Sequence, residues 1–204
     1  STAGSGSDPI DDFFNFARYQ VVYTAAELSL AGMPAGASIS ALGFSVIEDN
    51  GPAFPSYTVR MGHTAATNSA AHDAAALTTV FGPASYDATV VGAGVHDMIT
   101  FSTPFIWNGT SNIRVDICTG GTSMAYATPY GGVRAATLAS GSRRVRCDGC
   151  GSQCGVNTNT ANATRPQIRF NYAVLSCTAP AATASVSAFN CAVPGYTVNV
   201  NLTS

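Results

Sequence analysis

The sequence predicts an all-β fold: an antiparallel β-sandwich, similar to a jelly roll, that is held by disulfides and contains one short helical turn. Segments in which apolar and polar residues alternate recur about every ten residues with turn-forming residues between them, a spacing typical of β-sandwiches. Only one segment has a helical pattern. Hydrophobic residues make up 46% of the 204 residues, which is enough to fill a core.

The segment Ile99–Cys118 shows the clearest alternation and is expected to organise the fold. It predicts two β-strands joined by a tight turn at Asn108-Gly109, because these two residue types accept the positive φ that such turns need. Trp107, the only tryptophan, stands beside the turn, where it can cap a core. The alternation predicts a sheet with one buried and one solvated face. In the second strand the residues expected inside are Ile113, Val115 and Ile117, and those expected in solvent are Asn112, Arg114 and Asp116.

The predicted helical turn covers Thr24–Leu30. Thr24 is a suitable N-cap, and Glu27 follows at the spacing of a capping box, in which each side chain bonds the other residue's backbone N–H. Between Thr119 and Gly141 the pattern indicates a long loop with at most one strand. Other strands are predicted at Val21–Tyr23, Leu42–Val46, Tyr57–Met61, Ala88–Val91, Val95–Thr103, Arg143–Cys147 and Pro166–Tyr172. In the last of these the residues expected to face the core are Ile168, Phe170 and Tyr172.

Composition divides the chain into three parts. Residues 1–12 are expected to form a flexible arm, because small residues dominate its start and give it no reason to order by itself. Residues 13–174 form the predicted sandwich. Residues 175–204 begin with a linker and contain two strand patterns, which are too few to bury a core of their own. We expect them to open a second domain or to be donated as a strand to a neighbouring subunit.

The cysteines indicate an oxidising compartment, because an even number of them is typical of disulfide-bonded extracellular proteins. The six are Cys118, Cys147, Cys150, Cys154, Cys177 and Cys191. The cluster from Cys147 to Cys154 also offers three thiolates to zinc, but a structural zinc site needs a fourth ligand and usually a second cysteine pair. Disulfides are therefore favoured: Cys118 with one cluster member, two cluster members together, and Cys177 with Cys191.

Aromatic side chains in loop-like surroundings, with arginine nearby, are candidates for carbohydrate contact. They are Tyr86, Tyr126, Tyr130 and Arg134. The alternative interpretation is that these residues pack loops onto the sandwich.

No cofactor is expected, and calcium is the one alternative. Hard cations bind clustered oxygen ligands. Two acidic segments offer such ligands. One contains Asp8, Asp11 and Asp12, and the other contains Glu48, Asp49 and Asn50. The same residue types also form ordinary turns.

Charge and motifs exclude several classes of function. Charged residues are only 10% of the chain, the net charge is −2 and all nine basic residues are arginine, so no nucleic-acid partner is expected. The sequence contains no apolar run of about 18 residues, so no membrane insertion is expected. The sequence contains no G-x-S-x-G or H-E-x-x-H motif and only two glutamates, and we therefore expect no enzyme activity.

Several segments follow one another in a fixed order: YTAAELSLAGMPAGASISALGFSV, YTVRMGHT, TTVFGP, ITFSTPFIWNGTSNIRVDICTG and TRPQIRFNY. Together they resemble a β-sandwich module repeated in large secreted and cell-surface proteins of the Bacteroidetes, which include adhesins and often use type IX secretion. The resemblance covers Phe13–Tyr172, and PFIWNGTSNIRVDIC carries most of it. It implies an extracellular, non-catalytic module of a longer chain, followed from Cys177 by an Ig-like or fibronectin-like domain, and it supplies no catalytic residues.

The function favoured at this point is a non-catalytic extracellular module for adhesion or binding, in contact with surface glycans. A second hypothesis is a structural subunit of an extracellular filament, in which neighbouring copies join by strand addition through the first eight residues and the strand patterns near the end of the chain. A third is an accessory domain of a secreted hydrolase.

Overall fold

The chain divides into two units, Ser1–Val174 and Leu175–Ser204. The computed structural model describes residues of the first unit, namely 9–73, 75–120, 130–157 and 160–174, and the backbone of 4–6. The second unit lies outside the described residues. In chain order the elements are β1 (Gly4–Gly6), β2 (Phe16–Tyr23), α1 (Ala25–Leu30), β3 (Ala37–Phe44), β4 (Val46–Asn50), β5 (Phe54–Thr64), β6 (Thr78–Tyr86), β7 (Asp97–Ile106), β8 (Asn112–Gly120), β9 (Tyr130–Cys147), β10 (Thr160–Pro166) and β11 (Ile168–Val174).

Eight strands form one large antiparallel sheet. Six of them lie in the order β1-β9-β2-β8-β5-β6, and β4 and β10 also pair with β9. Strand β9 accommodates four partners because its 18 residues pair along successive parts of their length. Its beginning, around Val133, pairs with β1 and β4, and its end, from Ser142 to Cys147, pairs with β2.

The other three strands form a small antiparallel sheet in the order β11-β3-β7. Residues of both sheets belong to one hydrophobic core, and its fully buried members include Val21, Val59 and Val115 from the large sheet and Ile39, Leu42 and Phe44 from the small one. The predicted all-β, antiparallel and disulfide-bonded fold with one short helix is confirmed. The jelly-roll connectivity stays a prediction.

The segment Ile99–Cys118 carries the chain from one sheet to the other. Strand β7 belongs to the small sheet and β8 to the large one, so the turn between them is a corner and not a hairpin. Gly109 has a φ of +82° at this corner, and a Cβ there would lie 2.3 Å from the Cβ of Ala35. Trp107 is fully buried, and its Nε1 donates to the carbonyl of Ser111 at 2.7 Å. It caps the core, as predicted.

The prediction of a solvated face on β8 is wrong. The alternation itself is as predicted, since Ile113 and Val115 lie in the core. Arg114 and Asp116, on the opposite face, are nevertheless fully buried as well. The physical reason is that two segments outside the strands bond to the charged side chains on this face; they are residues 65–77, of which 74 lies outside the described residues, and residues 148–157.

The predicted helical turn is confirmed as α1. Thr24 is its N-cap, and both bonds of the capping box are present: the Thr24 hydroxyl accepts from the backbone N–H of Glu27, and the Glu27 carboxylate accepts from the backbone N–H of Thr24 at 2.9 Å. Leu28 is the buried residue of the helix and packs on the core. In the part of the chain that the structure describes, no helix is long and apolar enough to cross a membrane.

The beginning of the chain differs from the expected flexible arm. Residues 4–6 form β1, which pairs with Val133–Ala135 of β9. Ile10 is fully buried in the core, and Asp12 is 1% exposed. An apolar residue that reaches the core and a strand that finds a partner supply the ordering free energy that composition alone does not reveal.

Three other predictions need correction. Of the loop expected between Thr119 and Gly141, residues 121–129 lie outside the described residues, whereas β8 extends to Gly120 and the part from Tyr130 onward belongs to β9, which continues to Cys147. Residues 88–91, expected to be a strand, form a loop. Tyr172, expected to face the core, is 38% exposed, because it lies at the rim of a groove between α1 and strands β10 and β11.

Candidate functional site

A groove opens between α1 and the strands β10 and β11. Its volume of about 440 Å³ lies within the range of about 300–1,000 Å³ found for small-molecule sites. The helix and the turn after it form one wall, and the two strands form the other. The side chains that line the groove include Glu27, Leu28, Arg165, Gln167, Phe170 and Tyr172.

The strand wall exists because the chain changes sheets within one residue. Strand β10 belongs to the large sheet and β11 to the small one, and only Gln167 separates them. The backbone N–H of Gln167 donates to the carbonyl of Arg134 at 2.8 Å, which fixes the bend. The bend therefore places Arg165, near the end of β10, and Phe170, near the start of β11, along the same groove.

An arginine–carboxylate pair spans the two walls. The guanidinium of Arg165 donates to both carboxylate oxygens of Glu27, with a distance of 3.0 Å from Nη1 to Oε2. These bonds outweigh partial burial and lower the pKa of Glu27 to about 2. The Arg165 guanidinium also lies over the Tyr23 ring, 5.2 Å from its centre. The Glu27 carboxylate, 41% exposed, therefore stays ionised at neutral pH with its orientation fixed.

Aromatic rings form much of the strand side of the groove. The rings of Tyr23 and Phe170 meet edge to face, with centres 6.1 Å apart. The hydroxyl of Tyr23 donates to the carbonyl of Pro166 at 2.9 Å, and burial raises the pKa of this tyrosine. The hydroxyl of Tyr172 donates to the carbonyl of Gly32 at 3.1 Å, across the groove. This bond holds a partly exposed ring in one orientation.

The groove is therefore suited to a ligand with both apolar and hydroxyl-bearing surfaces. Fixed rings offer flat apolar contact, and the amide of Gln167 and the guanidinium of Arg169 offer planar hydrogen-bond donors nearby. Among the described residues that line the groove, Glu27 is the only carboxylate, whereas glycoside hydrolysis requires a facing pair. The arrangement supports binding.

Three of the four predicted carbohydrate-contact residues lie among the described residues, and each of them contacts other side chains of the protein. Tyr86 is 9% exposed and lies in the core, where its hydroxyl donates to Asp97 at 2.8 Å and its ring lies 4.6 Å from that of Tyr57. It is a packing residue, as the alternative interpretation holds. Tyr126 lies outside the described residues. Position in a loop-like sequence did not reveal that Tyr86 ends a strand facing inward.

The remaining two predicted contacts are also engaged within the protein. The ring of Tyr130 packs edge to face on Phe13, with centres 5.0 Å apart. The guanidinium of Arg134 donates to the Ser45 hydroxyl at 3.0 Å. Neither residue lines the groove.

A second polar region, the covered polar face, occupies the outer side of the large sheet and comprises Arg18, Gln20, Arg60, Arg114 and Asp116. At its centre Asp116, fully buried, accepts from Nε of Arg18 at 2.9 Å and from Nε of Arg60 at 3.1 Å. Gln20 donates to the same carboxylate at 2.9 Å. Two guanidiniums on one carboxylate leave a net positive charge in the interior.

The covering segments bond directly to these charges. Asp73 of the first segment forms an ion pair of 2.6 Å with the fully buried Arg114. The backbone N–H of Asp73 donates to the side-chain oxygen of Gln20 at 2.9 Å. In the second segment the carbonyl of Val156 accepts from Arg18 at 2.8 Å, and that of Cys154 accepts from Arg60 at 2.6 Å. The covering segments therefore supply hydrogen-bond acceptors to the arginines of the covered polar face and bury most of it.

Two disulfides lie in or beside the second covering segment. Cys118 is bonded to Cys154, with Cα atoms 5.4 Å apart, and Cys147 to Cys150, with Cα atoms 6.1 Å apart, both within the usual range. One bond joins Cys118 to a cluster member and the other joins two cluster members, as the disulfide hypothesis has it. The four sulfurs are thus not thiolates available to zinc. Cys177 and Cys191 lie outside the described residues.

The described parts of the two segments considered for calcium meet in space. Asp12 accepts from the backbone N–H of Gly51 at 2.9 Å through Oδ2, while its buried Oδ1 has no hydrogen-bond partner. Burial raises the pKa of Asp12 to about 6. The side-chain Oδ1 of Asn50 accepts from the backbone N–H of Ala88 at 2.9 Å. Among the described residues, no group of three His, Cys, Asp or Glu is placed to hold a metal; Asp8 lies outside them.

Sequence reasoning found Glu27 as a capping residue and missed it as part of the groove. Its partner Arg165 is 138 residues away, and no local pattern links the two. The one available signal was the isolated arginine before Pro166 in a segment otherwise expected to close the sheet.

Comparisons of the chain with protein-family models, with curated protein sequences and with solved structures give no match. The resemblance to the Bacteroidetes surface module therefore stays an expectation, and the function has to be argued from the groove and its side chains.

Proposed function

We propose that this protein is a non-catalytic extracellular binding module that contacts glycans through the groove between α1 and strands β10 and β11. The observation that supports it is the combination, in one open groove, of the Tyr172 ring, held in place by its own hydroxyl, and the Glu27–Arg165 pair, held in place by its hydrogen bonds. Small-molecule sites commonly combine apolar walls with a few such oriented polar groups.

A sugar ring presents two kinds of surface that match this groove. Its C–H faces are apolar and stack on aromatic rings such as Tyr172, and its hydroxyls exchange hydrogen bonds with amides, guanidiniums and carboxylates. The Glu27–Arg165 pair is held by its two mutual hydrogen bonds, by the capping bond of Glu27 to Thr24 and by the Tyr23 ring beneath Arg165. Little conformational entropy is then lost when a ligand binds these groups, which favours affinity.

The extracellular part of the proposal rests on composition and covalent structure. Two disulfides are typical of proteins that fold in an oxidising compartment. Charged residues make up only 10% of the chain. Uncharged hydroxyl and amide groups therefore supply much of its polar surface. Such a surface carries little long-range charge and gives electrostatic steering a minor role in binding.

A glycan array with the purified chain is the first test, followed by titration calorimetry on the strongest binder. The variant Tyr172→Ala removes the stacking ring and is expected to weaken binding about two- to tenfold, since an aromatic contact contributes about 0.5–1.5 kcal/mol. Phe13→Ala is the matched control, because Phe13 is exposed to a similar degree, 42% against 38%, and does not line the groove.

The two variants give separate readings. Weaker binding by Tyr172→Ala with unchanged binding by Phe13→Ala supports the groove as the contact surface. Equal losses in both variants, or no glycan bound at any concentration the array covers, would contradict the proposal. Near-ultraviolet circular dichroism, which reports the environment of the buried Trp107, establishes that each variant is folded.

The filament hypothesis has one observation in its favour. Strand β11 is an edge of the small sheet and pairs with β3 alone among the described strands. Its last residue, Val174, is 58% exposed. Unpaired edges accept strands from other chains. Long regular fibres in negative-stain micrographs of the purified chain would favour this function over glycan binding, and single particles would oppose it.

A further inference from the structure

Two disulfides with different surroundings lie within a short stretch of chain. Cys118, in β8, is 2% exposed and its sulfur lies among the buried charges of the covered polar face. Cys147 and Cys150 are both partly exposed, at the end of β9 and just beyond it. They also have C-x-x-C spacing, which occurs in disulfides that exchange readily with thiols.

A hydrogen bond distinguishes the two sulfurs of the exposed disulfide. The side-chain amide of Gln153 donates to Sγ of Cys150 at 3.2 Å and to the carbonyl of Gly151 at 2.8 Å. Gln153 is 8% exposed, so this donor is held in place by packing. A donor aimed at sulfur stabilises the thiolate more than the thiol, and a stabilised thiolate is the better leaving group in exchange.

We propose that Cys147–Cys150 is a thiol–disulfide exchange site whose substrates are thiols, either low-molecular-weight ones or exposed cysteines of other proteins. An incoming thiolate attacks Sγ of Cys147, a mixed disulfide forms there, and the electron pair of the broken S–S bond leaves on Cys150, beside the Gln153 amide. A second thiolate then attacks the sulfur of the first, which releases the oxidised disulfide of the two thiols. Cys147 leaves as a thiolate, so two electrons have passed from the thiols to the protein.

The other disulfide has the opposite role. Cys118–Cys154 joins β8 to the covering segment, and its two cysteines are 36 positions apart. Cys118 is buried and only its partner Cys154 is partly exposed, so an attacking thiolate can reach one sulfur of this disulfide but both sulfurs of Cys147–Cys150. The covering segment therefore stays attached while the exposed disulfide opens and closes, so exchange leaves the fold intact.

The experiment exposes the full chain to glutathione at a series of reduced-to-oxidised ratios. Free cysteines are alkylated at each ratio and located by fragmentation mass spectrometry. We expect Cys147 and Cys150 to be labelled under conditions in which Cys118 and Cys154 are not, with the near-ultraviolet circular dichroism unchanged. Labelling of all four cysteines together, or of Cys118 and Cys154 first, would overturn the proposal.

Two variants test the role of the amide. Gln153→Glu keeps the shape of the side chain but removes the donor, and the rate of opening by glutathione should fall roughly three- to tenfold. Ser152→Ala is the matched control in the same turn, and its rate should equal that of the unmodified chain. The leaving-group assignment is contradicted if Gln153→Glu opens as fast as the control. It is also contradicted if the trapped glutathione adduct is found on Cys150 instead of Cys147.

Discussion

The arginine–carboxylate pairs of the covered polar face and of the groove have opposite surroundings. On the covered polar face Asp116 is fully buried between two arginines. In the groove the Glu27 side chain is 41% exposed and, among the described residues, its ion-pair partner is Arg165. The same chemical groups therefore form the interior of one region and an accessible surface in the other.

The difference shows what each pair contributes. A buried charge that loses its partner leaves the other charge unsolvated, so a buried network is strongly destabilising to break even where its net contribution to stability is small. An exposed pair is screened by water and contributes little to stability. The covered polar face thus holds two sheet-covering segments in place, while the groove pair is available for a ligand at little structural cost.

The largest effect is expected from Asp116→Asn on the covered polar face. The substitution keeps the shape of the side chain but leaves Arg18 and Arg60 without a negative partner in the interior. We expect the free energy of unfolding to fall by about 3–5 kcal/mol, as measured by urea denaturation. A loss below about 1 kcal/mol, the size typical of exposed pairs, would show that the covered polar face is not effectively buried.

The next effect separates the two disulfides. The double substitution of Cys118 and Cys154 by alanine removes a link between positions 36 apart, and that of Cys147 and Cys150 a link between positions 3 apart. Loop-closure entropy predicts losses of about 4 and about 2 kcal/mol respectively. Thermal and urea unfolding of both double variants measure the difference. Equal losses would indicate that Cys118–Cys154 does not hold the covering segment.

A third carboxylate, Asp12, sharpens the comparison because it is buried without a cation among its described partners. Its pKa is raised to about 6 by burial, so the folded protein binds a proton more tightly than the unfolded chain. Stability should therefore fall as pH rises from about 4 through about 6. Asp12→Asn should be more stable than the unmodified chain at pH 7, by about 1–3 kcal/mol, and the difference should vanish near pH 4. Urea titrations across this range measure it, and a difference independent of pH would contradict the assignment.

The helix and the strands of the fold were predictable from sequence where a single local pattern determines them. The capping box at Thr24 and Glu27 fixed α1, and alternation in β7 and β8 identified the core residues, because both signals depend only on neighbours in sequence. Which sheet each strand joins was not predictable in this way. The corner at Gly109 looks the same in sequence as a hairpin turn.

The covered polar face illustrates the limit of periodic patterns. Arg114 and Asp116 have the polarity of solvated residues, and their burial depends on the covering segments, which contain small and polar residues without periodicity. Asp73 bonds to Arg114 and the Cys154 carbonyl bonds to Arg60. Such long-range pairs arise only when the whole sheet is assembled. The groove was missed for the same reason, since its walls come from opposite ends of the described chain.

The smallest expected effect concerns the groove pair and completes the comparison with the covered polar face. The pKa of Glu27 is lowered to about 2 from its ordinary value of 4.5, so the stability this group contributes is present above about pH 4.5 and is lost as pH falls toward 2. Glu27→Gln removes the charge and retains the capping bond, since glutamine also serves in a capping box. Because the carboxylate is 41% exposed, we expect the variant to lose less than about 1 kcal/mol at neutral pH. The difference from the unmodified chain should disappear near pH 2 and in 1 M salt, which shortens the screening length to about 3 Å. Urea titrations under these conditions check both expectations. A loss as large as that of Asp116→Asn would mean that Glu27 belongs to the interior and that the groove is not an accessible surface.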